Sequence, residues 1–215
     1  MNLPFSVEQF LDVFTQYNNS IWPLQVLLNV LALTVVFLAI RRFKLSDLVI
    51  SIILGLTWLW MGMVYHIAFF SSINPAAYVF GAFCILQGLL FFWGGFRRKL
   101  SYQATFGWRQ SVGGAFVLYS LMIYPFLGMK FGHLFPAAPT FGAPCPTTIF
   151  TFGVFLWAIK LPRPLLIIPA LWSIIGFTAA LTLGIYEDIG LLVAGIIGTL
   201  IILFNDSSKE TGSEV

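Results

Sequence analysis

Seven long apolar runs, each bounded by proline, glycine or charge, divide this chain at about Pro23 to Ile40, Leu48 to Phe69, Pro75 to Trp93, Val112 to Met129, Thr147 to Ile159, Pro164 to Leu183 and Ile189 to Phe204. Most approach the roughly 20 residues that a helix needs to cross the hydrocarbon core of a bilayer. With 59% hydrophobic and only 9% charged residues, the chain has too little polar surface to cover a water-soluble domain of its length. It reads as an all-α integral membrane bundle of seven transmembrane helices.

The charged residues orient that bundle. Arg41, Arg42 and Lys44 fall between the first two runs, Arg97, Arg98, Lys99 and Arg109 between the third and fourth, Lys160 and Arg163 between the fifth and sixth, and Lys209 after the last. Seven crossings put all of these on one side, which the positive-inside rule makes cytoplasmic, so the amino terminus is expected outside and the carboxyl terminus inside. Lys130 alone is left for the outer face, with Glu8, Asp12, Glu187 and Asp188. The net charge of +3 thus reports topology, and no basic stripe points to nucleic acid.

Residues 1–20 form a segment of their own. Ser6 and Gln9 fit a capping box, Phe5 and Phe10 a hydrophobic staple, and Val7, Phe10, Leu11 and Phe14 recur at helical spacing. A short amphipathic helix lying on the outer interface is expected there, followed by the membrane domain over 21–204 and a disordered cytoplasmic tail over 205–215. Gly190, Ala194 and Gly198 recur every fourth position on the last run, as Ala77 and Gly81 do on the third. Such small-residue faces serve packing within the bundle first and a homo-oligomer second.

Chemistry-bearing residues gather toward the expected outer side. His66, Asn74, His133, Cys145, Thr147 and Thr148 are the candidate solute-binding residues; Glu187 reads as exposed and Asp188 as a helix cap. The fifth run is short: Thr147 to Lys160 is 14 residues, about 21 Å of helix against roughly 30 Å of hydrocarbon. Either the protein thins the membrane there and an ordinary outer loop precedes the helix, or the Pro- and Gly-rich segment ahead of it descends into the bundle as a re-entrant loop. Thr147 or Thr148 would then cap a half-helix, with Cys145 just ahead of its positive end. Cys145, His66 and His133 include the ligand types that suit a soft metal ion, although no CxxC, HxxxH or HExxH spacing brings them together. Cys84 reads as a packing residue. No GxSxG elbow, Walker loop or GxGxxG loop is present, and no cofactor is implied.

The segments YH, INPAA, PTFGAPCPTT and YEDIGLL, with Trp172 between the last two, resemble a bacterial multi-pass membrane family known only as a domain of unknown function. The resemblance runs from the second apolar run to the seventh. It implies the architecture and a place in the bacterial inner membrane, with the lipid bilayer as partner, and carries no activity. From the residues, the first reading is a transporter or channel for a small solute or ion, with an outer vestibule around Pro144-Cys145-Pro146. The alternatives are a non-catalytic membrane scaffold or complex subunit, and a membrane thiol oxidoreductase or soft-metal protein.

Overall fold

The computed structural model describes residues 4–211 and is built almost wholly of helix. An amino-terminal helix α1 (Val7–Ile21) is followed by α2 (Leu24–Arg41), α3 (Ser46–Ser72), α4 (Ala77–Phe96), α5 (Trp108–Lys130), α6 (Pro144–Leu156), α7 (Pro164–Leu183) and α8 (Ile189–Thr211). Among the described residues six helices are long and apolar enough to cross a membrane, namely α2, α3, α4, α5, α7 and the one covering Tyr186–Phe204. The seventh apolar helix, α6, has 13 residues and falls short of the length a span needs. The polar tail foreseen at 205–215 lies partly outside the described residues; the backbone of α8 is helical as far as Thr211.

α6 is the axis of the molecule. Pro144 and every residue from Pro146 to Leu156 are buried, and a helix that is apolar all round belongs in an interior. It packs on α5, α7 and α8, touches α4 through the Phe91 and Phe155 rings at 5.7 Å, and receives a hydrogen bond from α3, where Trp58 Nε1 donates to Thr151 Oγ1 at 3.0 Å. Glycine sets the closest approaches. A Cβ added at Gly113 of α5 would lie 2.7 Å from the carbonyl oxygen of Gly153, and one at Gly153 would lie 2.7 Å from that of Gly113. On α8, Gly190 faces the Tyr119 ring, Gly198 the Phe152 ring, and Ala194 is fully buried. The small-residue stripe of the last helix is therefore spent on packing within the chain.

The helix boundaries correct one expectation. α6 begins at Pro144 with Ala143 as its N-cap, so Thr147 and Thr148 do not cap it, and Cys145 sits inside the first turn. Proline is favoured at the first helical position because its φ is already helical and its missing N–H would have been unsatisfied there. Thr147 instead accepts a hydrogen bond from the Gly142 amide at 3.0 Å, tying the first turn to the chain that enters it. Gly142 has φ +102, and a Cβ there would meet Leu28 Cδ1 at 2.5 Å. Only glycine fits that position.

That entry segment is held by α1. Ser6 and Gln9 form both halves of the capping box, and the Phe5 and Phe10 rings stack at 5.9 Å. At the other end of α1, buried Asn18 donates to the carbonyls of Pro136 and Ala138 at 2.6 and 2.8 Å and accepts from Thr140 Oγ1 and Gln25 Nε2 at 2.9 and 3.0 Å. One side chain thus binds the loop before α6 to both α1 and α2.

The opposite end carries the cations. Lys44, Arg98 and Lys160 surround one cleft with Asp47. Beneath it, the short strands β1 (Ser101–Tyr102) and β2 (Ala158–Lys160) pair antiparallel. Strands this short carry no period that a sequence reading could detect. Asp47 Oδ1 accepts from the Tyr102 amide at 2.8 Å, and Arg109 donates to the carbonyls of Phe155 and Ala158 at 3.2 and 3.1 Å. A cation placed on the last carbonyls of α6 satisfies orphan acceptors and complements the helix dipole. Arg109→Ala is expected to lower thermal stability by about 1–2 kcal/mol, measurable as a lower unfolding midpoint in detergent, with Arg109→Lys recovering part of it.

Candidate functional site

At the end remote from the cations, where α6 begins, the chain forms a partly open cavity of about 170 Å³. α3 contributes Tyr65, His66 and Phe70; α6 contributes Pro144 and Cys145; α7 contributes Trp172 and Gly176; the turn between α7 and α8 contributes Asp188. Phe5, Phe10 and Phe14 of the amino-terminal segment close it over. Three of the sequence-level candidates, His66, Asn74 and Cys145, therefore meet on one surface.

His66 lies in a π-helical stretch of α3, Met61–Phe69, a distortion that recurs at functional positions because the extra residue per turn redirects side chains. Its side chain is fully buried. The Trp172 ring lies 5.1 Å away, the Tyr65 ring 5.2 Å and the Phe80 ring 5.9 Å, all edge-on. Neither imidazole nitrogen has a hydrogen-bond partner. Buried polar atoms are rarely left unpaired in a folded protein, and those that are call for an explanation.

Cys145 also lines the cavity. Its thiol abuts the Asp188 carboxylate and faces the Trp172 indole, while Gly176 beside them lets α7 pack closely on α8, since a Cβ there would lie 2.6 Å from Leu191 Cδ2. Both cysteines are free. Cys84 is buried, as a packing residue should be, and lines a second, smaller cavity of about 80 Å³.

The turn between α7 and α8 holds what the sequence reading missed. Glu187 is fully buried and Asp188 nearly so, which corrects the expectation of an exposed glutamate. Glu187 Oε1 pairs with His133 Nδ1 at 2.8 Å, and its backbone carbonyl accepts from the Tyr119 hydroxyl at 2.7 Å. Asp188 Oδ1 accepts from the Tyr124 hydroxyl at 2.6 Å. Gly184, with φ +74, ends α7 and turns the chain back. The available signal was an acidic pair set directly against an apolar helix start with no lysine or arginine beside it.

The remaining candidates stand apart from the cavity wall. His133 reaches Asp188 only through its sequence neighbour Glu187. Thr147 and Thr148 are fully buried and turned into the packing around α6. Asn74 serves two positions at once, lining the cavity while its Oδ1 accepts from the Ala76 amide at 3.0 Å. Among the described residues no group of three or more His, Cys, Asp or Glu is placed to hold a metal ion.

A family model matches residues 7–213. The chain belongs to the DUF6064 family. It is a family of unknown function, and its match takes in α1 as well as the bundle, further toward the amino terminus than the motif resemblance reached. No curated protein and no solved structure matches the chain. The inclusion of α1 agrees with its place in the fold, since it supplies part of the cavity wall and the Asn18 hub.

Proposed function

We propose that this member of the DUF6064 family is a multi-pass protein of the bacterial inner membrane that takes up a small solute in the α1-covered cavity and passes it across the bundle. Six membrane-length helices and the cationic cleft at one end support the seven-crossing orientation, with the cations cytoplasmic and the cavity outside. α6 completes the count. It runs from the cavity end to the cationic end, and its missing length is made up by the buried segment from Phe141 to Ala143 before it and β2 after it. Irregular backbone at membrane depth is tolerated where protein covers it, as α1 and α2 do here.

The observation that carries the reading is the convergence of His66, Cys145 and Asp188 from three separate elements on one cavity, with the His66 nitrogens buried and unpartnered. Sites that combine an apolar wall with a few converging polar groups are the usual form of a small-molecule pocket. Phe80, Trp172 and Ile175 line both this cavity and the smaller one beside Cys84, which offers a second station deeper in the bundle. Gly190, Ala194 and Gly198 face inward, which counts against that stripe as a face for a second copy.

Reconstituted in proteoliposomes, the protein should give saturable flux of at least one small solute, and both Cys145→Ser and His66→Ala should reduce it. The absence of flux for every solute and ion class tried would sink the reading. Topology is checked separately on a Cys145→Ser background. Lys130→Cys should react with a membrane-impermeant maleimide from outside intact cells, and Lys44→Cys only after permeabilisation; the reverse pattern would overturn the orientation.

A further inference from the structure

The chemistry of the cavity wall narrows the class of solute. We infer that the site takes a small organic ammonium ion with an apolar body. This inference rests on the proposal that the cavity receives a solute.

Asp188 is the one Asp, Glu, Lys or Arg among the residues described around the cavity. Glu187 is engaged by the His133 imidazole, whereas the described partners of Asp188 are the Tyr124 hydroxyl and the Cys145 thiol, with no lysine or arginine paired to it among the described ion pairs. A carboxylate taken out of water is stable when a cation accompanies it. A solute that brings the cation supplies that missing partner. An anionic solute would set two negative charges together.

His66 adds the second determinant. A neutral imidazole presents one ring nitrogen as an acceptor; His66 is among the residues around the cavity, and both of its nitrogens are buried without a partner. An ammonium group has N–H donors for His66 and for the Asp188 carboxylate together. Apart from Asn74, Cys145, Thr178 and Thr182 the rest of the wall is aromatic and aliphatic, with Tyr65, Phe70, Phe80 and Trp172 around His66. Ring faces attract cations, and their apolar breadth suits the hydrocarbon part of such a molecule. A bare metal ion is poorly served by this surface, since three-donor clusters are absent among the described residues. At about 170 Å³ the space is below the range for drug-sized ligands, which restricts the solute to a compact amine.

The test uses the full chain in lipid nanodiscs at neutral pH, titrated calorimetrically with benzylammonium, benzyl alcohol and benzoate, with empty discs subtracted. Benzylammonium should bind at least about tenfold more tightly than benzyl alcohol, and benzoate weakest. Asp188→Asn, which keeps an acceptor for Tyr124, should erase the preference for the ammonium and leave the alcohol unchanged; His66→Ala should weaken the ammonium. The comparison of probes on the unaltered protein stands even if a variant fails to fold. Equal binding of the alcohol, or tighter binding of benzoate, overturns the ammonium assignment while leaving a solute cavity in place. No binding by any of the three overturns it too, and the flux assay then decides whether the transport proposal falls with it.

Discussion

Gly153→Leu is expected to abolish the fold, whereas Gly114→Ala, next to Gly113 in α5 but turned away from the crossing with α6, should be close to neutral. At Gly153 a first side-chain carbon would lie 2.7 Å from both the Gly113 carbonyl oxygen and Val117 Cγ2, closer than atoms can approach. Relief requires moving α6, and α6 is enclosed by α3, α4, α5, α7 and α8. Overpacking a well-filled core by this route costs about 3 kcal/mol or more, a large share of the stability of any domain. Gly114 has nothing within 4 Å of the added carbon, and in a helix alanine is favoured over glycine by about 1 kcal/mol. Size-exclusion profiles and thermal midpoints of the two variants in detergent make the comparison. A Gly153→Leu protein that purifies as a monodisperse species with the parental midpoint would show that the α5 and α6 crossing is looser than described.

The second large effect is expected at Asn18. Asn18→Leu removes two donated and two accepted hydrogen bonds at one stroke and strands the carbonyls of Pro136 and Ala138 beside a hydrocarbon side chain. Leaving buried polar groups unpaired costs roughly 2–4 kcal/mol in total at a site like this. The more specific consequence is local. Because Asn18 fastens α1 to the loop entering α6, its loss should loosen the cover over the cavity and expose Cys145. The rate of Cys145 alkylation by an impermeant maleimide, measured on a Cys84→Ser background, should rise well before the protein unfolds globally; an unchanged rate would mean that α1 is held by its Phe5, Phe10 and Phe14 contacts alone.

Together these sites explain which features of the chain were legible in its sequence. The α1 capping box was legible because Ser6 and Gln9 satisfy each other within four residues, a local geometry that needs no neighbours. The bounds of α7 at Pro164 and Leu183 were legible for a similar reason, with proline at the start and Gly184 at the stop. The start of α6 was misplaced by three residues because an apolar-run criterion discounts prolines that a helix accepts in its first turn.

The candidate site was only half legible. His66, Asn74 and Cys145 stood out as residue types, yet whether they meet depends on how α3, α6 and α7 cross, and no spacing in the chain encodes that. Glu187 was misjudged for the same reason. An acidic pair at a helix start is exposed unless other elements cover it, and here Tyr119, Tyr124 and His133, distant in sequence, do so. Trp172 was visible only as part of a motif; its role as the wall between two cavities follows from its 5.1 and 5.4 Å contacts with His66 and Phe80.

The sequence by itself determined the number of apolar helices, their order, the end at which the cations gather and the shortness of the helix after Pro144-Cys145-Pro146, because each of these follows from local composition and from the distance that a residue adds to a helix. The tertiary structure alone decided that this short helix is the buried centre, that α1 closes a cavity beside it, and that Asp188 and His66 face that cavity. Those outcomes depend on which glycine lies against which carbonyl and which carboxylate finds a cation, and such pairings exist only once distant segments have been brought together.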